Sequence, residues 1–287
     1  MLVVKKAGSH LVFEEDRKMK HVTFASVLFL VVLLAVTPAV GRGESDAELA
    51  KKTQNPIASL ISVPLQFNYD DNLGPNDDGS RFLLNVQPVI PISLNPDWNI
   101  ISRTIVPIID LEDFPAQGDD ESGIGDVLQS LFFSPKKPTA GGLIWGVGPV
   151  ISIPTASDDY MGSGKLSAGP TVVGLKQEHG WTYGLLANHL WSFAGEGGRP
   201  YVNATYLQPF LGYTLPSLTT LGVNTESSYD WRTEEWSVPV NVMVTQLLKI
   251  GSRPVSLQAG LRYWADSPEG GPEDFGFRLT FTLLFPK

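Results

Sequence analysis

Residues 275–285 read FGFRLTFTLLF and alternate between two kinds of side chain. One parity is apolar and rich in aromatic rings: Phe275, Phe277, Leu279, Phe281, Leu283 and Phe285. The other parity is mostly polar: Gly276, Arg278, Thr280, Thr282 and Leu284. Because successive strand residues point to opposite faces, one face of this strand is apolar and the other carries a charge. A soluble sandwich would bury the apolar face, whereas an outer-membrane barrel would turn it toward lipid.

The same alternation recurs upstream, in segments of about the length of a tilted membrane strand. We place twelve strands near residues 58–69, 81–93, 98–110, 126–135, 143–155, 165–176, 181–193, 202–214, 219–231, 236–248, 255–265 and 275–285. An even number of strands places both termini on the periplasmic side. We therefore predict an all-β fold, an antiparallel up-and-down transmembrane β-barrel over residues 58–287.

The connections between these segments also alternate in character. Those at one end are mostly longer and acidic, namely 70–80, 111–125, 157–165, 195–201, 232–235 and 266–274. Those at the other end are short and hold turn-forming Asn, Pro, Gly and Ser. Long outer loops and short periplasmic turns are typical of outer-membrane barrels, and Trp231 and Trp236 fit an aromatic girdle. The acidic loops are expected to be solvated or bridged by divalent ions to lipopolysaccharide.

The N-terminus predicts export through the inner membrane. Lys18 and Lys20 precede an apolar run at 22–36 and then small residues, the order of a cleaved signal peptide. We predict a signal peptide at 1–43, cleaved after Gly41 or Gly43, with an uncleaved anchor as the alternative. Acidic residues before Met19 are unusual there, so the true start is expected at Met19. Residues 44–57 are predicted to be a short periplasmic lead-in.

Composition excludes several classes of function. The chain has no cysteine, so it has neither a disulfide framework nor a Cys-ligated metal. The net charge of −9 and the lack of a basic stripe argue against nucleic acid as a partner. The acidic loops match no calcium-loop spacing, and the glycine-rich pieces at 146–148 and 162–164 lack the strand–helix context of a phosphate cradle. We predict no cofactor and no metal.

Prolines inside the predicted strands need a structural answer, because proline cannot donate to a ladder. They are Pro64, Pro88, Pro91, Pro107, Pro149, Pro154, Pro170, Pro209 and Pro239. Either bulges and kinks accommodate them, or some of the strands are shorter or broken.

Several stretches together resemble a known bacterial outer-membrane family. They are ELAKKTQNPIASLISVPLQFNYDDN, PVIPISLNPDWNIISRTIVPIIDL, GIGDVLQSLFFSP, GVGPVISIPTAS, SGKLSAGPT, LANHLWSFAG and YLQPFLGYTL, within residues 46–287. The family is labelled "MetA-pathway of phenol degradation" and often misnamed neuromedin U. The resemblance implies an outer-membrane barrel that moves small, often aromatic or hydrophobic, molecules. It supplies no binding residues.

Charged residues on the inward parity are the candidate site residues: Arg103, Glu226, Asp230, Arg262 and Arg278. They predict either a charged constriction that selects solute or a salt-bridge network that fills a narrow lumen. Both alternatives remain open at this point.

A catalytic site is not expected. His189 lies in a predicted strand, but Ser192 falls on the opposite parity, so a Ser–His pair is poorly placed. We therefore predict that the chain is not an enzyme, and rank a membrane-embedded hydrolase last among its functions.

The predicted function is an outer-membrane channel or transporter for small solutes, hydrophobic or aromatic ones included. A non-conducting structural or adhesion barrel is the alternative. Expected partners are outer-membrane lipids and lipopolysaccharide, an unidentified small solute and the barrel assembly machinery. The outward aromatic residues Phe281 and Phe285 are predicted to act as the assembly signal.

Overall fold

The computed structural model describes residues 45–286, which form one helix and fifteen strand segments of a single sheet. The predicted signal peptide lies outside the described residues. Helix α1 spans Asp46–Thr53. The strands are β1 Ile61–Leu73, β2 Gly79–Val86, β3 Val89–Ser93, β4 Trp98–Glu112, β5 Glu121–Ile124, β6 Val127–Pro135, β7 Ile144–Ile153, β8 Lys165–Glu178, β9 Trp181–Gly195, β10 Asn203–Thr214, β11 Thr219–Thr225, β12 Ser227–Asp230, β13 Glu235–Ile250, β14 Arg253–Asp266 and β15 Glu273–Phe285.

The sheet closes on itself as an antiparallel barrel. β15 pairs with β1, and β9 pairs with β10, so the ladder continues around the whole circumference. Three of the barrel strands are each divided into two segments. The segments β2 and β3 both pair with β4, and β5 and β6 also both pair with β4. The segments β11 and β12 both lie between β10 and β13. The described segments therefore make twelve barrel strands, which confirms the predicted fold.

The two faces of β15 follow the predicted parity. Phe275 and Phe277 are 60% and 59% exposed on the outer surface, whereas Arg278 and Thr280 are 3% and 7% exposed inside. Apolar groups that face lipid and polar groups that face the lumen are the arrangement of a transmembrane barrel. No helix among residues 45–286 is long and apolar enough to cross a membrane.

Both explanations for the prolines apply, at different positions. Pro88 lies in the break between β2 and β3, and Pro154 follows the end of β7. The β13–β14 register shifts between Val238 and Pro239, which is the local irregularity expected of a bulge. Other prolines, such as Pro64 and Pro209, lie within continuous strands.

The strands reach further at the loop end than the sequence predicts. β1 continues to Leu73 and β4 continues to Glu112, so the first two long connections begin later than expected. Asp70 therefore belongs to a strand rather than to an acidic loop, and its side chain is fully buried.

Helix α1 packs against lumen-facing side chains at the end of the barrel that carries the termini. Ser45 caps the helix by accepting a hydrogen bond from the Glu48 backbone amide at 3.2 Å. Leu49 and Ala50 are buried in one apolar cluster with Leu247 and Leu284. The segment predicted as a periplasmic lead-in thus holds a helix that packs into the barrel.

Residues after α1 enter the barrel interior. Ile57 packs into a second apolar cluster whose other buried members come from β3, β4, β6, β8 and β9: Val89, Ile101, Phe132, Val173, Leu175 and Leu186. The barrel interior therefore has an apolar, filled region at this end and a polar region farther along.

Candidate functional site

Asp70 is the centre of one buried ion-pair cluster inside the barrel. Its carboxylate lies 2.8 Å from Arg81 Nη2 and 3.2 Å from Arg262 Nε. The Trp264 indole donates to the same carboxylate at 2.9 Å. The Arg262 guanidinium carbon lies 4.5 Å from the centroid of the Trp264 ring, a cation–π distance. The buried carboxylate is thereby surrounded by two cations and a neutral donor.

Arg278 forms the second ion pair of the interior. Its two terminal nitrogens donate to the two carboxylate oxygens of Glu226 at 2.8 and 2.7 Å, a bidentate geometry. The Arg278 Nε donates to Asn68 Oδ1 at 2.7 Å, and Arg262 Nη1 donates to the same oxygen at 3.2 Å. The Asn68 amide oxygen therefore joins the two ion pairs into one network.

Strand register explains how these groups meet. Asn68 on β1 lies directly opposite Arg278 on β15, and Asp70 lies opposite Arg81 on β2. Directly opposite residues of an antiparallel pair share a face, so all four side chains enter the lumen. Glu226 occupies the one-residue break between β11 and β12, where its backbone amide donates to Pro239 O at 3.3 Å.

The remaining predicted site residues lie apart from this network. Arg103 donates to Gln87 Oε1 at 3.0 Å and lines the lumen cavity. Asp230 accepts from the Arg232 backbone amide at 2.7 Å and lies 3.6 Å from the Arg232 side chain, at the turn after β12. Phe281 and Phe285 lie opposite Leu65 and Ile61 on the outward parity of β15.

Four members of the network were missed from the sequence: Asn68, Asp70, Arg81 and Trp264. The period-two parity of the predicted first strand already places Asn68 inward, and continuing that parity past Tyr69 would have placed Asp70 inward as well. Asp is a common turn residue, so the run Asp70-Asp71-Asn72 favoured a loop.

A cavity of about 550 Å³ lies in the lumen beside the network. Its apolar lining residues include Ile105, Leu128, Leu190, Phe210 and Met243, and its polar ones include Arg103, Glu226, Gln258 and Thr280. Thr53, Gln54 and Pro56, at and after the end of α1, also line it. The space is within the size range of pockets that bind small organic molecules.

Among residues 45–286, no group of three or more His, Cys, Asp or Glu side chains is placed to hold a metal ion. The lumen carboxylates Asp70 and Glu226 instead have arginine partners.

His189 has polar partners that the sequence did not suggest. Its ring nitrogens lie 2.7 Å from Thr205 Oγ1 and 2.9 Å from Asn203 Oδ1 on the neighbouring strand. Ser192, the residue weighed against His189 in the sequence, instead accepts from the Val202 backbone amide at 2.8 Å.

No family model and no curated protein matches the chain. Solved structures do match. The COG4313 outer membrane channel from Pseudomonas putida F1 aligns with a TM-score of 0.62 and 11% identity, over 79% of this chain and 96% of that one. Outer membrane phospholipase A from Escherichia coli aligns with a TM-score of 0.46 and 11% identity, over 83% and 98%. The beta domain of the Bordetella autotransporter BrkA aligns with a TM-score of 0.41 and 10% identity, over 78% and 100%.

The chain is an outer-membrane β-barrel: its closed twelve-stranded fold is that of the Pseudomonas channel. The prediction that the chain is not an enzyme is wrong as a conclusion. The matched barrels include a phospholipase as well as a channel.

Proposed function

We propose that this protein is an outer-membrane channel for small organic solutes of mainly apolar character. The observation that carries the proposal is the lumen cavity, whose lining combines apolar side chains with charged and amide-bearing ones. A ring-sized solute would pack against Phe210, Leu128 and Leu190, and its polar edge would find donors in Arg103 and Gln258. The resemblance to the phenol-degradation family points to the same class of solute.

One observation favours a second candidate, a barrel that does not conduct. Helix α1 and Ile57 pack against lumen-facing side chains, so part of the interior is filled. A barrel whose filling never moves would serve as a structural or adhesion protein of the outer membrane.

The test makes the same change, Ala→Trp, at two positions on opposite faces of the barrel wall. Ala204 on β10 lines the cavity, and Ala187 on β9 lies opposite Val172, which is 48% exposed on the outer surface. Ala204→Trp fills the lumen, whereas Ala187→Trp adds an aromatic ring to the lipid face. Entry of radiolabelled naphthalene is measured in cells that carry each variant in the outer membrane.

We expect Ala204→Trp to lower naphthalene entry to the level of cells without the protein, and Ala187→Trp to leave it unchanged. Equal entry in cells with the wild type, in cells with either folded variant and in cells without the protein would favour the non-conducting barrel. Loss of entry in both variants would locate the route on the outer surface rather than in the lumen.

A further inference from the structure

His189 belongs to a polar cluster on the outward parity of β9 and β10, of which Thr205 also reaches the lining of the lumen cavity. It lies on β9 directly opposite Thr205 on β10, and Trp191 lies opposite Asn203. Opposite residues share a face, and Trp191 is 51% exposed, so His189, Asn203 and Thr205 face outward. The neighbouring residues Asn188 and Leu190 line the lumen cavity, as alternation requires.

His189 has a hydrogen-bonding partner at each ring nitrogen. Asn203 Oδ1 lies 2.9 Å from Nε2, and Thr205 Oγ1 lies 2.7 Å from Nδ1. In the tautomer that carries its proton on Nε2, the imidazole donates to the Asn203 amide oxygen, and Nδ1 accepts from the Thr205 hydroxyl. In that tautomer, a third side chain holds the imidazole against the hydroxyl. Nucleophile, base and orienting group stand in this relation in acyl-transfer sites.

A further donor points at the same oxygen. The Trp231 indole N–H donates to Thr205 Oγ1 at 2.8 Å. This N–H orients the hydroxyl, because it occupies one lone pair of Oγ1 and leaves the hydroxyl proton for Nδ1 of His189.

The surroundings place the cluster at the membrane interface. The row of outward aromatic rings continues from Trp191 beside His189 to Tyr229, Trp231 and Trp236, with ring centroids 4.0 to 4.9 Å apart within the contacting pairs. Amphipathic rings of this kind lie at headgroup level, where the ester bonds of lipids are also found. The cluster is therefore at the height of an acyl ester rather than of an acyl tail.

We propose that Thr205, His189 and Asn203 form a second site that hydrolyses acyl esters at the outer-membrane surface. Thr205 Oγ1 attacks the ester carbonyl carbon while its proton passes to His189 Nδ1, and the Oγ1–carbon bond forms. The carbon–alkoxide bond then breaks, and His189 returns the proton to the leaving alcohol. Water attacks the acyl-Thr205, gives a proton to His189, and releases the carboxylic acid as Oγ1 recovers its proton.

The roles differ among the three residues. Thr205 and His189 touch the reacting atoms and are the catalytic pair. Asn203 acts through the imidazole and is a positioning residue, so its loss should shift the pH at which hydrolysis is half-maximal as well as lower the rate.

The experiment compares Thr→Val at two outward positions of the full-length protein in phosphatidylethanolamine vesicles. Thr205→Val removes the proposed nucleophile and keeps the side-chain shape. Thr225→Val is the matched control, because Thr225 lies on β11 and its hydroxyl accepts from Ser227. Release of fatty acid from the vesicle lipid and cleavage of added 4-nitrophenyl butyrate are measured, and a fluorophosphonate probe is mapped by mass spectrometry.

We expect the wild type to cleave at least one of the two esters and to carry the probe on Thr205. Thr205→Val should lose about a hundredfold or more in rate, the scale of a proton-transfer catalyst, while Thr225→Val and Thr205→Ser stay active. Fatty-acid release would identify membrane lipid as the source of the ester, and cleavage of only the butyrate would identify a dissolved ester. If the folded wild type neither hydrolyses an ester nor forms a fluorophosphonate adduct, the proposal is overturned, and the cluster is only a set of hydrogen bonds at the membrane interface.

The channel proposal and the ester-site proposal can be contradicted independently of each other. Ala204→Trp fills the lumen on the far side of β10 from Thr205 and should leave ester cleavage unchanged. Loss of ester cleavage in Ala204→Trp would show that the ester reaches Thr205 only through the lumen, which contradicts a site on the outer surface.

Discussion

Arg278 is only 3% exposed, yet its charge is fully matched by the side chains around it. The Glu226 carboxylate accepts hydrogen bonds from both terminal nitrogens of Arg278, and the Asn68 amide oxygen accepts from Arg278 Nε. Parity along β15 was enough to place Arg278 inward from the sequence. Parity also placed Glu226 inward, but it did not pair the two residues, because their contact across the lumen depends on the β11–β12 break rather than on spacing.

We predict that Arg278→Met destabilises the barrel by about 3–5 kcal/mol, because it leaves the Glu226 carboxylate in a confined space without its cation. Adding Glu226→Gln should recover part of the loss. Urea unfolding followed by tryptophan fluorescence measures both values.

Lys249→Met is the control for this pair. Lys249 lies 2.8 Å from Asp46, but both side chains are largely exposed, so its loss should cost less than about 1 kcal/mol. A cost for Arg278→Met no larger than that of the control would indicate that the interior pair is well hydrated.

Strand β15 shows what alternation can predict at the level of an element. The apolar parity lies on the outer surface and the polar parity inside, as its eleven residues from Phe275 to Phe285 indicate. The breaks in β2–β3 and β11–β12 were not visible in the alternation, because a break moves side chains without changing their hydrophobic pattern. Helix α1 was missed for another reason: eight residues of mixed charge carry too weak a periodic signal.

We predict that Phe281→Arg lowers the folded yield of the barrel, whereas Thr282→Arg does not. The two residues are neighbours on opposite faces, and Thr282 lines the lumen cavity. A charge on the lipid face costs up to about 2–4 kcal/mol, least near the interfaces. The heat-modifiable band in unboiled gel samples measures the folded fraction, and equal loss in both variants would contradict the assigned faces. The role of Phe285 as an assembly signal stays a prediction.

At the scale of the whole molecule, the protein is a membrane barrel whose interior is partly filled. Its outer surface offers lipid an apolar belt, while its interior holds ion pairs, a cavity and helix α1. Sequence reasoning reached the barrel and its twelve strands, since both follow from local alternation. It left a salt-bridge network in the lumen as one of two alternatives. It did not reach the packing of α1 into the barrel or the Asn203–His189–Thr205 cluster, because those contacts join residues that only the folded chain brings together.

We predict that Leu49→Asp raises single-channel conductance in planar bilayers. Leu49 is buried against the apolar cluster with Leu247 and Leu284, so a carboxylate there should displace α1 from the lumen. Ala47→Asp adds the same charge to an exposed position of the helix and serves as the control. Equal conductance in the two variants would show that α1 is not the barrier to ion flow.

The position of α1 also constrains the order in which the chain folds. Its contacts join residues far apart in sequence, with 203 residues separating Asp46 from Lys249 and 126 separating Lys51 from Gln177. Contacts of such separation carry a large loop-closure entropy and form late. Helix α1 therefore reaches its final place only after the last hairpins exist, and the newly closed barrel begins as an empty cylinder.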